Sequence, residues 1–209
     1  VDNALPGALP AVVMLSGNDA LSLDGLNGSI EDAMAADELI MLIEAVHDDG
    51  MLTNDVLLGS LDGGALSIDE ASYGADGTPQ ARLGGAFESE KRFEVTADRI
   101  EIPIIFDPEA APVLLPLAMA RIEGTMDANG TQGVLGGAVP IDDLVTQVLE
   151  PLLAPEGEYD PADYMGLERD ALLDTVRDLA NETMADIELS DGSKAISAGL
   201  IYGGDSSSF

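Results

Sequence analysis

The chain has 209 residues, 46% of them hydrophobic, enough for one domain with an apolar core and too many for a disordered polymer, yet 40 Asp and Glu against 8 Lys and Arg give a formal net charge of −32. Both properties hold together only if aliphatic side chains lie inside and acids outside, and such a surface excludes nucleic acid and anionic membranes as partners while attracting inorganic cations. With no Cys, disulfides, thiolate metal sites and cysteine nucleophiles are excluded as well.

The charge is unevenly spread. The first cation is Arg82, and fifteen carboxylates from Asp2 to Asp76 precede it. Like charges at that density repel one another, and the repulsion shrinks as the screening length falls to ~3 Å near 1 M salt. The composition therefore fits a halophilic or calcium-containing medium, beyond what plain solubility needs. No run of 18 apolar residues is present to span a membrane as a helix. The opening on Val1 is expected of a chain whose signal or anchor segment has been removed, or of a trimmed one.

Along the chain, Asn27 or Ser29 caps a short helix through Ala36. Strands are expected over Glu38–Val46, Asp55–Leu61, Ala65–Ala71, Gln80–Glu88, Phe93–Thr96 and Arg99–Phe106, separated by Asp-Gly turns at Asp24, Asp49, Asp62 and Asp76. The clearest hairpin runs from Met119 to Val139 about Asn129-Gly130. Ile141, Leu144, Val145, Val148, Leu149 and Leu152 then fall on one helical stripe that Pro151 and Pro155 end, with Asp142 and Asp143 at its positive end. Asp160-Pro161 starts a further helix to about Met184, which Gly166 kinks or splits. A last strand is expected over Ala195–Tyr202, with a frayed tail from Gly203 to Phe209. The echo Leu83-Gly84-Gly85-Ala86 and Leu135-Gly136-Gly137-Ala138 places Gly pairs inside strands, where they mark a bulge or a close backbone approach. The fold expected is mainly β with helices, a single domain over residues 1–209 with an antiparallel β-sandwich-like core and two or three helices packed on it.

Chemistry-bearing motifs are sparse. Ala195-Ile196-Ser197-Ala198-Gly199 imitates part of a nucleophile elbow but lacks its first Gly, and the only His, His47, lies far upstream of Ser197. His47 reads as a solvated loop residue. No phosphate-binding loop is present. The Asn27, Asn129 and Asn181 sequons are accounted for by turns and a helix. Two acidic stretches have the oxygen-rich character that Ca²⁺ requires. One is Asp48 and Asp49 with Asn54 and Asp55, bracketing a loop. The other is Asp186, Glu188 and Asp191, closing on Gly192, with Lys194 opposing a second cation. The simpler reading of each stretch is a solvated Asp-Gly turn.

Val1-Asp2-Asn3-Ala4-Leu5-Pro6, Glu38-Leu39-Ile40-Met41-Leu42-Ile43-Glu44, Leu135-Gly136-Gly137-Ala138-Val139-Pro140 and Ile196-Ser197-Ala198-Gly199-Leu200 resemble stretches of uncharacterised exported acidic proteins, often lipoproteins, of myxobacterium-like bacteria. The resemblance implies an extracytoplasmic location: cell surface, outer-membrane-attached or secreted. It carries no activity. The Asp-rich loop usual before the last strand of that group is degenerate here, over Asp186 to Gly192.

Three functions follow as expectations. The first is a non-catalytic surface or secreted structural or binding module, self-associating or held by another cell-surface protein. An exposed apolar patch or a terminal strand awaiting a partner would strengthen it. The second is a calcium-dependent binding module. The third is a carboxylate-based hydrolase, which needs two carboxyls facing each other in one cleft.

Overall fold

The computed structural model describes residues 40–62, 65–104, 113–153, 159–164 and 166–205. The helix expected through Ala36 lies outside them. The described strands, all antiparallel, form one nine-stranded sheet. They are β1 (Ile40–Asp48), β2 (Met51–Asp62), β3 (Ala65–Ile68), β4 (Arg82–Phe87), β5 (Arg92–Ile104), β6 (Val113–Asp127), β7 (Gly130–Pro140), β8 (Ile187–Glu188) and β9 (Lys194–Asp205). Their order is β1-β2-β4-β5-β6-β7-β9-β8, with β3 also paired to β2. Two helices accompany them: α1 over residues 141–152 and α2 (Arg169–Thr183). The mainly β character with packed helices is therefore present, with the described strands in a single sheet.

The hairpins follow from the turn residues. Asp49 and Gly50 both have positive φ, 46° and 82°, as a two-residue turn matched to strand twist demands. So short a turn lets Asp48 pair directly with Met51. Residues 47–48 and 51–54, expected to be loop, are therefore strand, with only Asp49 and Gly50 in the turn. At the other end, β9 runs through Asp205, three residues into the expected tail, because Gly203, Gly204 and Asp205 pair with Gln132, Thr131 and Gly130.

The two strands expected at Phe93–Thr96 and Arg99–Phe106 are one bent strand. Phe93 and Val95 are buried, then Ile100 and Ile102, so the inward positions change from odd to even across Ala97–Arg99. Strand β6 makes the matching change, from Ile122 and Ala120 to Leu117 and Val113. The cause is a bulge: the β6–β7 register slips by one residue between Ala118 and Arg121, and Met119 there holds φ 50°. An extra residue turns the strand so that both halves keep their aliphatic side chains inward. A sequence pattern records that turn only as a break in alternation. The Gly pairs do mark close approaches, since a Cβ on Gly85 would sit 2.0 Å from the Glu94 carbonyl oxygen and one on Gly137 would sit 3.0 Å from that of Ala118.

Helix α1 buries Ile141, Leu144, Val145, Val148 and Leu149, as its stripe predicts. Its middle, Leu144–Leu149, is a widened turn in which the Glu150 N–H donates to the Val145 carbonyl. Pro151 follows, and a proline ring crowds the carbonyl four residues back. Gly166, at φ 76°, splits the expected third helix into a 3₁₀ turn, Pro161–Tyr164, and α2. The Asp160 carboxylate accepts from the Ala162 N–H and so caps the 3₁₀ turn rather than a long helix. Buried Leu172, Leu173, Val176 and Ala180 of α2 join α1 and the inward residues of β2, β4–β7 and β9 in one aliphatic core.

Candidate functional site

The face of the sheet opposite the core is stitched by ion pairs. Strands β1, β2 and β4 align Glu44, Asp55 and Arg82 in one row. Arg82 grips Asp55 with both ends of its fork, Nε to Oδ1 at 2.7 Å and Nη2 to Oδ2 at 2.6 Å. Further along, Glu94 stands directly opposite Glu123. Arg121 relieves that repulsion by pairing with both, at 2.8 Å to Glu94. Arg99 joins Asp143 at the start of α1 to Glu101. Arg92 takes Glu88 and Glu123, Lys91 takes Asp127, Arg169 takes Glu150, and Arg177 takes Asp142 and Asp174. Lys194 Nζ donates to the Asn181 carbonyl at the last turn of α2. All eight Lys and Arg of the sequence thus have a partner inside the fold. Hydrogen bonds to their carboxylates push the Arg82, Arg99 and Arg121 guanidiniums above their ordinary range.

The residues of the first acidic stretch are separated. Asp48 and Asp49 are at the β1–β2 turn, while Asp55 sits mid-strand, bound to Arg82. Asp55 is four strand residues beyond Met51, the partner of Asp48, which places it roughly 13 Å along the strand from the turn. Asn54 faces inward between Ala45 and Leu83, fully buried, and neither Oδ1 nor Nδ2 has a hydrogen-bond partner.

The second stretch is a closed hairpin between β8 and β9. Asp186 accepts from the Ser197 N–H at 2.7 Å and its hydroxyl at 2.5 Å. Burial pushes the Asp186 carboxyl up, but these hydrogen bonds outweigh it and hold it below its ordinary range. Asp191 accepts from the Ser193 hydroxyl and N–H, which lower it likewise. Glu188 lies across from Lys194. Both aspartates are therefore oriented onto serine donors of their own hairpin. Among the described residues, no three His, Cys, Asp or Glu converge as a metal-binding group.

Ser197 and His47 lie on opposite flanks of the sheet. Ser197 donates to Asp186 from β9, while His47, on β1, meets the Phe87 ring edge-on at 5.4 Å. His47 is exposed but belongs to a strand rather than a loop. A shallow open depression of about 470 Å³ lies at the bend of β5 and β6, lined by Thr96, Ala97, Asp98, Met119, Ala120 and Arg121. Asp98 is its one carboxylate.

Sequence reasoning missed three features: the Arg121 clamp, the buried Asn54 and the outer side of β9. The last had a signal. Ala195 to Gly204 is ten residues without a charge in a chain where 23% are charged. Neighbouring β7 is also uncharged throughout. On this flank Ile201 is 85% exposed, and Leu200 is exposed beside it. No protein-family model matches the chain, and no curated protein or solved structure matches it.

Proposed function

We propose that the protein is a non-catalytic structural and binding module of the cell surface or the secreted space, adapted to saline water and associating with copies of itself or with another surface protein. The observation that carries this reading is the flank formed by β7 and β9, where an almost fully exposed Ile201 lies in a zone free of charge. A chain with a net charge of −32 gains nothing in solubility from such a flank, whereas an apolar, uncharged surface is what contact with another protein uses. The ion-paired outer face agrees with work in brine, because each cross-strand pair offsets local repulsion without emptying the acidic shell.

We also read the sheet as curling into a sandwich-like body. The shared bend of β5 and β6 at Asp98 and Met119, and a core that joins Leu52 of β2 to Ile196 of β9, support this.

The test of placement is fractionation of the source cells, with protease added to intact cells. Recovery outside the cytoplasmic membrane and loss to external protease are expected. Recovery in the cytosol, shielded from protease, would end this reading.

A further inference from the structure

We infer that the outer edge of β9 pairs with the β9 edge of a second copy, in antiparallel sense, joining two sheets into one. This deepens the proposed function and rests on it, since it names the partner for the uncharged flank.

The direction of the backbone groups comes from the structure. The Ser197 N–H points away from β7, because it donates to Asp186, and the Ala195 carbonyl points the same way, because it accepts from the Asp186 N–H. In an extended strand every second residue repeats that direction. Ile201 and Gly203 therefore also present N–H and C=O outward. The edge is occupied at its start: β8 covers Lys194 and Ala195, and Ser197 and Gly199 already have partners. From Ile201 onward no described strand lies outside β9.

Natural sheets protect such edges with Lys, Pro or inward-turned charges. Here the sequence is Ile201-Tyr202-Gly203-Gly204, with no charge and no Pro. A side chain built on Gly203 would meet nothing within 4 Å, so the face of the sheet at that residue is uncovered.

Charge selects the occupant. Two chains of −32 repel wherever their acids approach. From Ala195 to Gly204 β9 brings no charge of its own to a second copy, only Asp205 at its end, and a twofold axis through it carries the ion-paired strands β2, β4 and β5 of both copies outward. Such a contact is isologous, each copy offering the same strand. With the axis at Tyr202, Ile201 of one copy lies opposite Gly203 of the other, and the two pairs exchange four main-chain hydrogen bonds. Long-range repulsion still opposes the encounter. At ~0.1 M salt it reaches about 10 Å, and near 1 M only about 3 Å, so the pairing is switched on by brine.

The experiment is sedimentation equilibrium of the full chain from low salt to ~1 M NaCl, with hydrogen exchange read at Ile201 and Gly203. The variants are Ile201→Glu, which places a charge on the flank, and Gly203→Pro, which removes one outward N–H at a position where edge strands accept proline. The wild type is expected to double in mass at high salt and to protect both amides. Each variant is expected to keep the wild-type circular dichroism and stay a monomer at every salt.

Variants that dimerise like the wild type would move the interface elsewhere and overturn the inference. So would a wild type that stays monomeric, whether its edge amides exchange freely, leaving the edge to a different protein, or are protected by the chain's own residues. None of these outcomes touches the fractionation result, so the surface-module reading fails or survives separately.

Discussion

Replacing Arg82 and replacing Asp55 should have very different costs, although the two residues share one ion pair. The side chain of Asp55 is 4% exposed, and that of Arg82 is 51% exposed. Removing the guanidinium in Arg82→Ala strands a buried carboxylate, with Glu44 beside it in the same cross-strand row. Breaking a buried pair in this way costs about 3–5 kcal/mol. Because Arg82 is half in water, solvent can reach part of the site it vacates, and about 3 kcal/mol is the fitting end of the range. Asp55→Asn instead leaves an arginine that can turn into solvent, and the amide oxygen still accepts one hydrogen bond. About 1 kcal/mol is expected there. In a protein of this size 1 kcal/mol moves Tm by about 2–4 °C, so Arg82→Ala should melt roughly 6–12 °C low and Asp55→Asn only a few degrees low. Thermal unfolding followed by circular dichroism at fixed high salt reads both. In the double variant the loss should be smaller than in Arg82→Ala alone, since the stranded charge is gone. Equal losses for the two single variants, or a larger one for Asp55→Asn, would refute the reasoning.

Three further outcomes are expected. Asn54→Leu should raise stability by about 1 kcal/mol in urea unfolding, because it replaces two unsatisfied buried polar atoms by an aliphatic group of similar size, and a loss would mean that the amide has a bonded role. Ser197→Ala should cost about 1 kcal/mol near neutral pH, discounted for the exposure of Asp186. Since the Asp186 carboxyl is depressed in the folded state, its contribution is complete above the ordinary value of 3.8 and is lost as pH falls through the lower folded value; the gap between wild type and variant in a pH series of unfolding curves should close in that acidic range, and a gap that widens on acidification would contradict the assignment. Tm should climb from low salt toward ~1 M NaCl, and CaCl₂ at matched ionic strength should add nothing, because Asp186 and Asp191 are already engaged by serine donors; a calcium-specific rise would restore the hairpin as a binding loop.

The parts of the fold legible in the sequence are those set by local chemistry. Asp49-Gly50 and Asn129-Gly130 mark hairpins because positive φ is a single-residue property. The stripe from Ile141 to Leu149 marks α1 because burial follows its period. What could not be read depends on partners distant in sequence. The break between Val95 and Ile100 looks like the end of a strand until β6 is seen to bend with β5 at Met119. Asp55 looks like a loop ligand until Arg82, 27 residues on, is seen to hold it. Asp186 and Asp191 were recognisable as one acidic turn, but not the serines that take up their oxygens. The uncharged run from Ala195 to Gly204 was visible, and only its position at the flank of the sheet gives it meaning.

The full engagement of the eight basic side chains makes this protein's tolerance of mutation lopsided. The exposed acids that take part in no ion pair or turn hydrogen bond are redundant, and losing one only lessens crowding of like charge. Each arginine, by contrast, is a fastening between particular strands or helices with no idle substitute among the other bases. Drift in such a lineage can wear away the unpaired acids freely, while a lost arginine such as Arg82 or Arg121 is made good only by restoring it or by removing the acid it leaves behind.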